Sequence, residues 1–256
     1  MVEELRKQRW TISSDAAGSL VFEWPQDSEV PPESIALLRA APAPFSLGLM
    51  RNQKVSDISP LAELQGLRLL NLMFDRNIRD VSALGKLKAL TALNLAGTRV
   101  VDISALRGLN GLTRLNLGNT EVGDISALRE LNNLTELGLG SLEIKDISVL
   151  HALKRLRTLD LTDTKVEDIS VLREFESLTD LNLAGTKVAD ISVLREMKSL
   201  ADIILATSAP RSSSAASPPE SSRPIGCFEN GLQYTRGHMP APRQFDVVIE
   251  RDSEGN

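Results

Sequence analysis

Residues 90–111 read LTALNLAGTRVVDISALRGLNG, and residues 112–133 read LTRLNLGNTEVGDISALRELNN. Numbered from the first leucine, both spell L-x-x-L-x-L-x-x-T-x-V-x-D-I-S-x-L-x-x-L-x-x. Further 22-residue units begin at Leu134, Leu156 and Leu178. Two units with one extra residue precede them: one starts near Pro44 (Leu47, Leu49, Val55, Asp57, Ile58) and one at Leu67 (Leu70, Leu72, Ile78, Asp80, Val81). An incomplete unit opens at Leu200 and ends around Thr207. A fixed period of this length marks a solenoid, because one unit is too short to bury its own apolar side chains and must stack on its neighbours.

Within one unit, Leu93 and Leu95 alternate with Ala92, Asn94 and Ala96, which predicts a short strand with two leucines inward. Successive strands lie about 4.8 Å apart, so eight of them make a parallel sheet on the order of 40 Å long. The chain then turns at Gly97-Thr98, drops Val100 and Ile103 into the core and returns through SALRGL. Leu106 and Leu109, three apart, suit a 3₁₀ or single helical turn. Asp57, Asp80, Asp102, Asp124, Asp146, Asp168 and Asp190 form a column just ahead of these turns. An Asp there serves free backbone amides, and one carboxylate per coil does not assemble the convergent oxygens a metal needs.

The spelling, in seven consecutive copies, resembles the leucine-rich repeat family, in the short class of bacterial internalins and of a eukaryotic phosphatase regulatory subunit. The resemblance covers roughly residues 44 to 207. It implies an α/β fold, a right-handed solenoid with a parallel concave β-sheet and short helical or 3₁₀ convex segments. Thr98, Thr120, Thr164 and Thr186 stand where the family usually has Asn bonding the loops of adjacent coils, and Leu142 breaks that column. By analogy the concave face takes a protein or peptide partner, although fold does not fix function.

Three concave columns follow from the register. The central one runs Asn71, Asn94, Asn116, Gly138, Asp160, Asn182, Ile204. The one before it runs Leu69, Ala92, Arg114, Glu136, Thr158, Asp180, Asp202, and the one after it Met73, Ala96, Gly118, Gly140, Thr162, Ala184, Ala206. Leu69, Met73 and Phe74 form an apolar cluster at one end, which either the N-terminal segment or a partner covers. Glu136, Asp160, Asp163, Asp180 and Asp202 make the other half acidic, with Arg68 and Arg114 away from it. The candidate partner-binding residues are therefore Leu69, Asn71, Met73, Phe74, Asn94, Arg114, Asn116, Glu136, Asp160, Asp163, Asp180, Asn182 and Asp202. Such polarity orients a basic segment of a partner. The face has no Trp or Tyr, the residues that dominate tight interfaces, so a structural repeat protein without a strong concave ligand is the competing expectation.

Of the 256 residues 42% are hydrophobic but only 4% aromatic, so the core is built of Leu, Ile and Val rather than of a few large anchors. The net charge of −5 provides no basic footprint for nucleic acid. Cys227 is the single cysteine and cannot form an internal disulfide. His151 and His238 have no nucleophile placed beside them in the pattern, and no phosphate-binding loop or metal motif occurs. These readings predict a non-enzymatic monomer without cofactor or metal. No apolar run has signal-peptide or membrane-span length, which sets a cytoplasmic location as the expectation, with export by a route that needs no cleaved apolar signal as the alternative.

Residues 1–43 are expected to close the N-terminal end of the stack. RWTISSDAAGSLVFEW (9–24) reads as a hairpin, and PPESIALLRAA as a short helix opened by Pro32 and Glu33 and running through Leu38. Residues 208–224, rich in Ser and Pro, read as a disordered linker, and 225–256 as a largely mobile tail. In that tail QFDVVIE (244–250) alternates as a short strand does, and could fold back onto the edge at Ile203 and Leu205.

Overall fold

A computed structural model describes residues 1–25, 28 and 30–205. The linker and tail expected at 208–256, with Cys227 and His238, and the end of the last unit at Ala206 and Thr207 lie outside the described residues. The repeats form β3 (Phe45–Gly48), β4 (Leu67–Asn71), β5 (Ala92–Asn94), β6 (Arg114–Asn116), β7 (Glu136–Gly138), β8 (Thr158–Asp160), β9 (Asp180–Asn182) and β10 (Asp202–Ile204). Each pairs in parallel with the next, and Leu70, Leu93, Leu115, Leu137, Leu159, Leu181 and Ile203 share one register row. Between strands the chain returns through 3₁₀ segments, seven among the described residues, from Ser59–Glu63 to Ser192–Glu196. The tighter 3₁₀ pitch brings residues three apart onto one side, which suits the L-x-x-L spelling of this stretch.

Stacking buries whole columns of one residue type. Leu70, Leu93, Leu159 and Leu181 are fully inaccessible, as are Leu84, Leu106, Leu128, Leu150 and Leu172 from the convex turns. Each buried leucine contributes roughly 1.5–3 kcal/mol relative to an exposed one, and its neighbours above and below belong to other coils. A threonine ladder ties the strand entrances together. The hydroxyls of Thr91, Thr113 and Thr135 donate to the carbonyls of Arg68, Thr91 and Thr113 in the preceding coil, at 3.0–3.1 Å.

The N-terminal segment extends the sheet rather than only covering it. Strands β1 (Thr11–Ser14) and β2 (Leu20–Glu23) are antiparallel, and β2 then pairs in parallel with β3, which gives ten strands in one sheet. Helix α2 (Pro32–Leu38) packs beside the first 3₁₀ segment. A helix that the apolar pattern does not signal, α1 (Val2–Lys7), inserts Leu5 into the core. Its exposed pairs Glu3–Arg6 and Glu4–Lys7 add little stability. Four aromatics gather at this end: Trp10 meets Trp24 edge-on at 4.9 Å, and Phe22 meets Phe45 at 5.7 Å. Large rings fill the irregular join between hairpin and first coil, where no leucine column exists.

The Asp column closes Asx turns. In all seven copies an Asp Oδ1 accepts the N–H of the Ser two residues on, at 2.7–2.8 Å, and that Ser opens the 3₁₀ segment. Ser104 and Ser126 also donate their hydroxyls to Asp102 and Asp124. The backbone bond first, and the Ser hydroxyl second, hold all seven carboxyls below the ordinary aspartate range. The Thr column works differently from the expected bridging between coils. Thr98, Thr120, Thr164 and Thr186 donate their hydroxyls to the carbonyl three residues back in their own coil, at 2.6–2.7 Å. At this position the hydroxyl turns back to its own coil. Buried Asp75, earlier in the same column, does span coils, accepting the Asn52 N–H. Leu142 lacks the hydroxyl but keeps the backbone bond to Leu139 and is buried, so the turn survives the substitution.

These turns make a pH-dependent prediction. A carboxyl whose folded pKa is depressed stabilises the fold above the unfolded pKa, near 3.9 for Asp, and loses that contribution as pH falls through the folded value. Asp124→Ala should therefore melt below wild type at neutral pH, with the gap narrowing as pH falls below the unfolded value of about 3.9. Asp124→Asn, which keeps the acceptor oxygen but not the charge, should lose less than Ala at neutral pH. Thermal melts across pH check this, and equal losses in the Asn and Ala variants would show that charge rather than the acceptor matters.

Candidate functional site

The sheet places the candidate residues in three rows with different fates. Register puts Leu69, Ala92, Arg114, Glu136, Thr158, Asp180 and Asp202 in one row, and Asn71, Asn94, Asn116, Gly138, Asp160, Asn182 and Ile204 in the next. Most of this second row is not a free surface. Asn71, Asn94, Asp160 and Asn182 are buried, as is Met73. Strands less than 5 Å apart crowd the middle of the face. The side-chain oxygens are also taken: Asn71, Asn94, Asn116, Asp160 and Asn182 each accept the backbone N–H two residues on, at 2.9–3.1 Å. Gly138 is glycine for the same reason, since a Cβ there would stand 2.7 Å from Asn116 Oδ1. These five polar residues, expected as partner contacts, each hold a strand exit.

The first row stays partly exposed. Leu69, Arg114, Glu136, Thr158 and Asp180 are half-buried and Asp202 is exposed. Burial pushes the Glu136 carboxyl up; Arg114 on the adjacent strand opposes the rise and Asp180 adds to it. One Asp180 oxygen accepts the Thr179 hydroxyl at 2.6 Å.

A third row, not evident from the repeat spelling, borders the other side. Arg51, Phe74, Asn119, Ser141 and Asp163 have φ between 55° and 64°, and Gly97 and Gly185, in the same place in their coils, have φ of 71° and 67°. The chain leaves each strand through a left-handed residue whose N–H bonds the next coil, as Phe74 to Ala96 and Asp163 to Ala184 at 2.7 Å. Non-glycine residues pay for this conformation. Size alternates in consequence: a Cβ at Gly97 would lie 2.3 Å from the Phe74 ring. Phe74 is half-buried, with the Arg51 guanidinium 5.6 Å from its centroid. Its contacts thus come from the neighbouring coils. Arg51, Asn119 and Ser141 belong to this border and were missed because the period of the pattern does not report backbone sign. Asp163 is exposed there.

No catalytic geometry surrounds His151, whose Nδ1 lies 2.8 Å from the Ser148 carbonyl oxygen on the convex side. Among the described residues no group of three or more His, Cys, Asp or Glu converges as a metal site would require. No described helix is long and apolar enough to cross a membrane.

Asp160 offers a test of the central row. Burial raises its carboxyl pKa, against the two bonds from Thr162 and with a smaller push from Asp163. A raised folded pKa means that the fold favours the protonated acid, so stability rises as pH falls through that value. Asp160→Asn keeps the acceptor and removes the buried charge. It should raise Tm at pH 7 by an amount on the order of a few degrees, with the advantage shrinking as pH falls and the wild-type carboxyl protonates. A lower Tm at pH 7 would show that the charge itself is required.

Two stretches, residues 88–130 and 132–174, match the model of leucine-rich repeats in two copies. No curated protein sequence matches the chain. Among solved structures, internalin C2 of Listeria monocytogenes is 30% identical, with a TM-score of 0.67, over 72% of this chain and 80% of its own. Internalin F of the same organism is 27% identical, with a TM-score of 0.65, over 72% of this chain and 53% of its own. TLR13, solved as a complex with ssRNA13, shares the fold at 21% identity and a TM-score of 0.57, over 70% of this chain and 27% of its own. With the repeat spelling, the stacked parallel sheet and identity of this level across most of internalin C2, the chain belongs to the leucine-rich repeat family, in its internalin-like class.

Proposed function

We infer that this chain is a non-enzymatic binding module that presents the concave sheet to a basic protein or peptide segment. One observation carries the reading: after the central row has been spent on the strand exits, the side chains left to vary form a stripe that turns acidic along the solenoid. Arg114 is followed by Glu136, Thr158, Asp180 and Asp202, with exposed Asp163 across the face. Such a stripe steers and orients a cationic partner. TLR13 was solved with ssRNA13, so the fold alone does not choose a ligand class; here the acidic stripe opposes a phosphate backbone. A phosphatase-regulating role is a narrower form of the same reading. The lack of Trp and Tyr along this stripe favours the second reading, a structural repeat protein without a tight concave ligand.

Affinity capture with the full chain, beside a Glu136→Lys/Asp180→Lys version, separates the two. The binding reading expects a prey that is lost on charge reversal and whose capture weakens with salt. A prey retained equally by both baits, or no specific prey, supports the structural reading.

A further inference from the structure

The two ends of the solenoid are finished differently. At the N-terminal end α1, the β1–β2 hairpin and α2 leave Leu5, Trp10, Phe22, Trp24 and Phe45 buried. At the other end the columns that are sealed in every interior coil open. Leu183 is 3% exposed, and Leu205, in the same place one coil later, is 38% exposed. Val166, Ile169, Leu172 and Leu181 are buried, whereas Val188, Ile191, Leu194 and Ile203 are each half-exposed. Strand β10 also ends the sheet order, and among the described residues nothing pairs with its outer edge. An apolar end face beside a row of unpaired backbone groups is what an added strand satisfies.

We propose that residues 244–250, QFDVVIE, dock on this end as that added strand against β10. The segment carries Phe245, Val247 and Ile249 at every second position, the same i, i+2 spacing with which Leu181 and Leu183, or Ile203 and Leu205, face the core. It has no Pro and no Gly to interrupt pairing. Gln244, Asp246 and Glu250, with Val248 among them, fall on the alternate face, which the outermost strand of a stack turns away from the core. Residues 206–243 connect it to β10, a length that reaches across the end of a solenoid many times over. The competing occupant is a second copy of the chain, which would pair edge to edge at the same surface.

Hydrogen exchange on the full chain tests the proposal, comparing wild type with Val247→Lys/Ile249→Lys and with a control, Ser213→Lys/Ser214→Lys. The proposal expects the amides of Ile203 to Leu205 and of 244–250 to be protected together in wild type and in the control, independently of protein concentration. In the 247/249 variant both should lose protection by roughly tenfold or more, while the interior coils from β5 to β8 exchange as before, which shows that the solenoid itself is intact. Equal exchange at Ile203 to Leu205 in wild type and the 247/249 variant overturns the proposal. Protection that grows with protein concentration overturns it in favour of the second copy.

Discussion

Each coil depends on its neighbours to keep its leucines dry. Twenty-two residues cannot enclose a core, but the same row of leucines, laid on the rows before and after it, leaves Leu93, Leu159 and Leu181 fully buried. The requirement explains the monotony of the sequence: a column packs at interior density only if the side chains along it have matching shapes. It also explains why the aromatics are few and where they sit. Trp10, Trp24, Phe22 and Phe45 occupy the place where the repeating surface meets the N-terminal segment, which does not repeat.

Once the columns are fixed, backbone polar groups decide what else may vary. The Asx turns at the Asp column start the convex segments, the threonine hydroxyls tie strand entrances, and the Asn and Asp residues of the central row hold strand exits. Positions with these duties cannot also be selected freely for a partner. The remaining freedom lies in the row containing Arg114, Glu136, Thr158 and Asp180, and in the left-handed border, where bulk at Phe74 obliges glycine at Gly97. These two narrow stripes flank a structural seam.

Much of the fold was legible because the repeat reports it directly. Period, strand rows and 3₁₀ returns follow from where leucines recur, and all are present in register. The site was less legible. Strand alternation says that Asn94 and Asp160 point away from the leucines, but outward is not the same as exposed; the close approach of parallel strands and the Asx geometry bury them. The sign of φ at Arg51, Asn119 and Ser141 leaves no periodic trace except two glycines. Helix α1 escaped notice because one buried residue, Leu5, makes no pattern, and the pairing of β2 with β3 because a hairpin does not announce its outer neighbour.

The interdependence of coils is tested most directly by equilibrium urea unfolding of Leu137→Ala, which opens a void in the central column while touching neither the Asx turns nor the border. If every coil leans on the next, the variant should lose about 2–5 kcal/mol in a single transition that far-ultraviolet circular dichroism follows throughout. A loss below about 1 kcal/mol, or a separate early transition with most of the signal unchanged, would mean that the coils around Leu137 hold together without the column and would contradict the account.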